Sequence, residues 1–191
     1  MNKKINEVVN GIELVFETLP ELFSPGGIDA GTRAMLSVAE FRVDDKVLDL
    51  GCGYGVVGIL AAKLIGVDKV TMSDSNPKAV EYALKNSELN GVGGVRALLS
   101  EGFQNIDDKD YSLILSNPPY HEDFSVPKAF IEKGFNRLRV GGRMMMVTKR
   151  ETWYKNKLTA IFGGTRVWRI GGYCVFMSVK KGESYANKAK Y

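Results

Sequence analysis

Apolar residues along the chain follow two rhythms, one alternating and one helical, and the change from one to the other marks out the elements. Residues 5–18, INEVVNGIELVFET, form two short alternating runs around Asn10-Gly11, a dipeptide that suits a tight hairpin turn. LPELFSPGGIDAG then reads as a loop, and a helical stretch follows near residues 30–40. From Lys46 the pattern is regular. KVLDL is a buried strand and YGVVGILAAKLIG an apolar helix; KVTMSD is a strand and PKAVEYALKNSELNG an amphipathic helix, opened by Pro77 and closed by Gly91. A strand near 94–99, the strand YSLILS, the helix PKAFIEKGFNRL, a turn at Gly141-Gly142 and the strand RMMMVT continue the series. After a helix near 153–162, TRVWRI and YCVFMSV flank Gly171-Gly172 as an antiparallel hairpin, and residues 182–191 are expected to be a frayed polar tail.

Strands alternating with helices through short connections predict an α/β fold: an open, mostly parallel sheet with right-handed crossovers and helices on both faces. The 191 residues are expected to form one domain, 1–191, with residues 1–20 as a hairpin extension. A net charge of +4 is compatible with a nucleic-acid partner but does not demand one. The two cysteines, Cys52 and Cys174, lie far apart without a Cys-x-x-Cys pattern, which argues against a zinc site or a secreted disulfide scaffold, so no metal is expected. The first residues lack the apolar core of a signal peptide and no run reaches the length of a membrane span, so the expected location is the cytoplasm.

The sharpest ligand signal is Asp49-Leu50-Gly51-Cys52-Gly53-Tyr54-Gly55, between a strand and a helix. Alternate glycines permit a tight turn and close approach of a ligand to backbone, and the helix start beyond offers unsatisfied N–H groups. The spacing is G-x-G-x-G rather than the dinucleotide G-x-G-x-x-G. Asp74 ends the next strand, where a carboxylate can hold ribose hydroxyls. Asp49 would repel a pyrophosphate and suits a ligand that carries an amino group and a positive sulfur, such as S-adenosylmethionine.

VLDLGCGYGVVGI, Asp74 and the later LRVGG together resemble the class I S-adenosylmethionine-dependent methyltransferases over roughly residues 22–180. The resemblance implies a Rossmann-like, seven-stranded sheet ending in an antiparallel hairpin. It also implies that Gly51, Gly53 and Gly55 serve the methionine and ribose side of the cofactor, Asp74 the ribose and Asp49 the amino-acid end. Cys52, Ser75, Gly102 and Thr32 fall to the same site, with Glu101 toward the adenine amine.

Ser116-Asn117-Pro118-Pro119-Tyr120 closes the strand YSLILS. The motif is similar to that of methyltransferases that modify planar nitrogens. An exocyclic amine or a side-chain amide is a poor nucleophile because its lone pair is delocalised. The Asn117 side-chain oxygen and the Pro118 carbonyl can hold its two N–H groups, prolines preorganise both acceptors, and Tyr120 offers a stacking ring. Adenine N6, cytosine N4, guanine N2 and glutamine amides all satisfy this chemistry.

Upstream, LFSPGGIDAGTRAML resembles a segment of the small-subunit ribosomal RNA guanine-N2 methyltransferases, the RsmC-like family, through Phe23, Ser24, Asp29, Gly31 and Thr32. SNPPYH, with His121, and the terminal GGYCVFMSVK match the same family. This implies methylation of an RNA base amine, foremost guanine N2 of ribosomal RNA, with a glutamine side chain of a translation protein or adenine N6 as alternatives. Transfer RNA is a further candidate partner. Phe23, Asp29, His121, Lys149 and Arg150 are the candidate substrate contacts. The family's full-length bacterial members carry an additional N-terminal domain, and this chain, with only a hairpin there, looks like their compact relatives.

Overall fold

The computed structural model describes residues 3–119 and 123–186. The first two strands, β1 (Lys3–Val9) and β2 (Ile12–Thr18), pair as an antiparallel hairpin apart from the main sheet. Its turn is the predicted Asn10-Gly11, and both residues have positive φ, 51° and 79°. After α1 (Ala30–Val38) come β3 (Val47–Leu50), α2 (Val56–Ile65), β4 (Val70–Asp74), α3 (Pro77–Leu89) and β5 (Arg96–Leu99). The second half contains β6 (Tyr111–Ser116), α4 (Ser125–Arg137), β7 (Leu138–Thr148), α5 (Glu151–Phe162), β8 (Arg166–Ile170) and β9 (Tyr173–Val179).

Seven strands form one sheet in the order β5-β4-β3-β6-β7-β9-β8. The five from β3 to β7 are parallel, and β9 runs antiparallel to both of its neighbours. The chain steps outward from β3 to β5 and then returns to β6 on the other side of β3. A crevice opens at such a reversal, beyond the carboxyl ends of β3 and β6. Ser116 Oγ donates to Leu50 O at 2.7 Å and fastens those two ends together.

Burial on both faces explains the nearly continuous apolar strands. Leu113 and Leu115 point into one core with Ile59, Leu60 and Met72, while Ile114 points into the other with Phe135, Met144 and Leu158. The hairpin is held by two asparagines one helical turn apart on α3. Asn86 and Asn90 each accept from a β2 amide, those of Glu17 and Val15, and each donates back to the same residue's carbonyl at 2.7–3.0 Å. The two side chains thus imitate a third strand. Asn86 Nδ2 also donates to Tyr54 O at 2.9 Å, which ties the hairpin to the glycine loop.

Two expectations need correction. Gly141-Gly142 is not a turn before β7 but lies inside it: β7 advances from Leu138 to Arg143 while β6 advances only from Tyr111 to Leu113. A Cβ at residue 142 would lie 2.8 Å from Arg139 O and 2.9 Å from Tyr111 O, so this bulge needs glycine. Nor is the start of the tail frayed. The Tyr185 ring packs edge-on against Phe135 and its hydroxyl donates to Glu132 O at 3.1 Å; residues 187–191 lie outside the described residues. Among the described residues no helix is long and apolar enough to cross a membrane.

Candidate active site at the reversal of the sheet

The glycine loop leaves β3 and is stitched at once to β4, since Gly51 N and Cys52 N both donate to Ser73 O at 2.8 Å. Asp74 braces it from the end of β4, accepting from Gly53 N at 2.8 Å and from Asn76 N at 2.9 Å. Gly51 and Gly53 have φ of 78° and 54°, and a Cβ on either would meet nothing within 4 Å. Their backbone requires glycine, and their open side faces the cleft. Gly55 differs from the other two: a Cβ there would lie 3.0 Å from Ile59 Cδ1 and 3.2 Å from Ala83 Cα. It lets α2 approach α3 and lines neither cavity described below.

Asp49 is buried beneath this loop, and its Oδ2 accepts from Gly58 N at 2.9 Å. Loss of solvation pushes its carboxyl up to about 7, with the Asp74 charge adding to the rise and the Gly58 N–H opposing it. Burial, helped by the same two carboxylates, also raises the Cys52 thiol well above its ordinary value, so Cys52 is a small inert wall rather than a nucleophile.

A cavity of about 690 Å³ lies over the crevice. Asp74, Ser75, Glu101 and Gly102 line one side, Asn117, Pro118 and Pro119 another. A smaller hollow of about 40 Å³, lined by Asp49, Cys52, Thr32 and Asp29, shares Phe23, Gly51 and Asn117 with it. Phe23 is 50% exposed although it belongs to both. The half-buried Asn117 donates through Nδ2 to Asp29 Oδ2 at 2.8 Å and to Thr32 Oγ1 at 3.0 Å. Asp29 Oδ2 also accepts from Thr32 N at 3.1 Å, as the N-cap of α1. The loop before it is tied to the glycine loop by Tyr54, whose hydroxyl donates to Gly27 O at 3.1 Å.

Lys149 and Arg150 stand outside the cavity, where β7 ends. Lys149 Nζ lies 4.9 Å from the centre of the Tyr173 ring, and the Arg150 guanidinium 5.0 Å from that of Phe124, which stacks on Trp153. Tyr120 and His121 lie outside the described residues. The sequence reading missed one cavity wall: Phe103, in edge contact with Phe130, together with Ala129 and Lys133 of α4. Ala129, Phe130 and Lys133 recur at helical spacing, which marks one face of α4 but not what that face covers.

The site's donor set fits S-adenosylmethionine. The buried Asp49 carboxylate would suit a cationic amino group, Asp74 at a strand end would suit vicinal hydroxyls, and the Phe103 and Phe130 rings wall the cavity. Ser73 Oγ, buried on the cavity wall, finds no hydrogen-bond partner among the described residues.

A parallel sheet reversed at β3, a glycine loop behind β3, an acid at the end of β4 and Asn-Pro-Pro behind β6 together make up the class I, Rossmann-like methyltransferase fold. The profile of the methyltransferase small domain matches residues 13–177, and the chain belongs to that family. It is 33% identical over 164 residues to the ribosomal RNA small subunit methyltransferase C of Serratia proteamaculans, covering 84% of this chain and 47% of that protein. It is 32% identical over 141 residues to the uncharacterized protein YbxB of Bacillus subtilis, covering 73% of this chain and 70% of YbxB. The structure of the T. thermophilus 16S rRNA N2 G1207 methyltransferase RsmC, in complex with AdoMet and guanosine, superimposes with a TM-score of 0.85 at 25% identity, over 94% of this chain and 51% of RsmC. The chain thus spans about half the length of the named methyltransferases it matches, and most of YbxB.

Proposed function

We propose that this chain is an S-adenosylmethionine-dependent N-methyltransferase of RNA, acting on the exocyclic N2 amine of guanine in small-subunit ribosomal RNA. The observation that carries the reading is Asn117-Pro118 at the cavity edge, with the nitrogen end of the Asn117 amide turned away onto Asp29 and Thr32. The likeness to RsmC, a guanine-N2 enzyme by name, favours guanine over the other planar nitrogens.

Bound S-adenosylmethionine supplies an electrophilic methyl group. In this reading Asp49 faces its amino group, Asp74 and Ser75 the ribose, and Glu101 and Gly102 the adenine, while Gly51, Cys52 and Gly53 keep the cleft open. Asn117 Oδ1 and the Pro118 carbonyl each accept one N–H of the guanine amine, which aims its lone pair and withdraws it from the ring. The amine loses its proton to water once methylated, so no strong base is needed. Pro118 and Pro119 hold the backbone, and both acceptors are in position before the substrate arrives. Phe23 walls the base and Tyr120 stacks on it; Lys149 and Arg150 meet phosphates beside the target nucleotide. We place the activity in one domain, in the cytoplasm.

The test is transfer of labelled methyl from S-adenosylmethionine to small-subunit ribosomal RNA from cells lacking this gene, with ribosomal proteins in parallel. We expect N2-methylguanine in the RNA. Asn117→Ala should lower kcat about 100-fold or more with cofactor affinity within about twofold. Transfer to protein and none to RNA overturns the reading.

A further inference from the structure

We propose that Asp29 and Thr32 form a clamp that decides which end of the Asn117 amide meets the substrate, and that both are positioning residues for methyl transfer. The inference rests on the reading of Asn117 as an acceptor for the base amine.

An asparagine amide has two ends of similar size and opposite hydrogen-bonding sense. Turned one way, Asn117 accepts from an exocyclic amine. Turned the other way, it points N–H at N–H, and no amine can be held there. Two residues that lie 85 and 88 positions earlier in the chain hold its nitrogen end. A carboxylate only accepts, so the nitrogen end must face Asp29 Oδ2, 2.8 Å away, and its second N–H is taken by Thr32 Oγ1 at 3.0 Å. A flip would lose the Asp29 bond and bring a carbonyl oxygen against the carboxylate, while the Thr32 hydroxyl would have to turn from acceptor to donor.

The clamp is itself held in place. Asp29 Oδ2 also accepts the Thr32 backbone N–H at 3.1 Å, so the acceptor is fixed to the first turn of α1. Thr32 is 7% exposed, so water competes poorly for its hydroxyl. A hydrogen bond to a carboxylate is charge-assisted and polarises the amide, which makes its far oxygen a better acceptor. Asp29 and Thr32, expected from sequence to touch substrate and cofactor, thus act through Asn117. Ligand contacts would alter KM or cofactor affinity; a clamp alters kcat.

Thr32→Val separates these roles, because it removes the hydroxyl while leaving the backbone N–H that Asp29 caps. We expect kcat on the ribosomal RNA described above to fall about 5- to 30-fold, with RNA KM and S-adenosylmethionine Kd within about twofold. Thr32→Ser should recover most of the loss. Asp29→Ala should lower kcat about 10- to 100-fold, and Asp29→Asn less, because one amide oxygen can still serve both donors. A second readout needs no turnover. In protein labelled with 15N at asparagine, the side-chain signals that vanish in Asn117→Ala should exchange slowly with solvent in the native protein and at least about fivefold faster in Thr32→Val. An unchanged kcat in Thr32→Val, a loss confined to KM or Kd, or unaltered amide exchange would overturn the clamp. If Asp29→Ala does not fold, Thr32→Val still decides. An active Asn117→Ala would sink the base-amine reading as a whole. An inactive Asn117→Ala beside a fully active Thr32→Val would sink the clamp alone.

Discussion

We expect Asp49 to make cofactor binding a proton-linked event. In the free protein its carboxyl sits near 7, chiefly because it is buried. If the carboxylate is the form that faces the cofactor's ammonium group, binding draws this value down and expels a proton. A carboxyl at 7 is about 9% ionised at pH 6 and about 76% at pH 7.5, so affinity should rise about eightfold over that interval. The window stops there because an α-amino group itself titrates near 7.7–8.0. Calorimetric titration of S-adenosylmethionine at several pH values gives the affinity, and repeating it in buffers of different ionisation enthalpy gives the proton count. That count should be about 0.9 released per cofactor at pH 6. The same raised value makes the folded state hold more protons than the unfolded state between about pH 4 and pH 7, so this group's contribution to stability declines as pH rises through that range. Cofactor should therefore raise Tm more at pH 7.5 than at pH 6. Asp49→Asn should bind weakly with a flat pH profile. A flat profile in the native protein, or an unchanged slope in Asp49→Asn, would mean that the Asp49 carboxylate does not hold the cofactor's ammonium group.

Gly58→Ala would place a Cβ 2.3 Å from Met72 Cγ and 3.3 Å from Asp49 Oδ2, so it should cost about 1–3 kcal/mol in thermal unfolding and weaken cofactor binding; normal values for both would contradict the packing argument. Arg143 pairs with the buried Asp45 at 2.7 Å, and Arg143→Met should cost about 3–5 kcal/mol in urea unfolding by stranding that carboxylate. Burial pushes Asp45 up, but hydrogen bonds from Ser112, Arg42 N–H and Arg143 bring it below its ordinary value; its stabilisation is complete above about pH 4 and is lost as pH falls through the lowered value, a loss that acid titration of Asp45→Asn should lack. Replacing Lys149 and Arg150 together by Ala should raise RNA KM and reduce the salt slope of binding by about 1–2 without changing cofactor Kd; an unaltered slope would remove them from the RNA surface.

What could be read in the sequence was what depends on local period and backbone demand. Asn10-Gly11, the alternating strands and the glycine loop each answer to their own neighbours, and Asp49 and Asp74 take their places from the strands that carry them. The chain conceals relations between distant segments. Asn86 and Asn90 looked like polar positions on an amphipathic helix, yet they complete the edge of β2. Gly55 had the spacing of a ligand-facing glycine, but Ala83 is what crowds it. Gly141-Gly142 carried the composition of a turn, and only pairing with β6 reveals a bulge. Asp29 was legible as important, but its bond to Asn117 spans 88 positions and no local pattern encodes it.

In the proposed reaction the methyl group goes to a guanine amine in RNA. Mass spectrometry of ribosomal RNA, transfer RNA and ribosomal proteins from cells with and without this gene tests it most directly. One N2-methylguanosine should disappear from small-subunit ribosomal RNA and return with the native gene but not with Asn117→Ala. An unchanged RNA methylation profile, with a methyl group missing from a protein side chain instead, would contradict it.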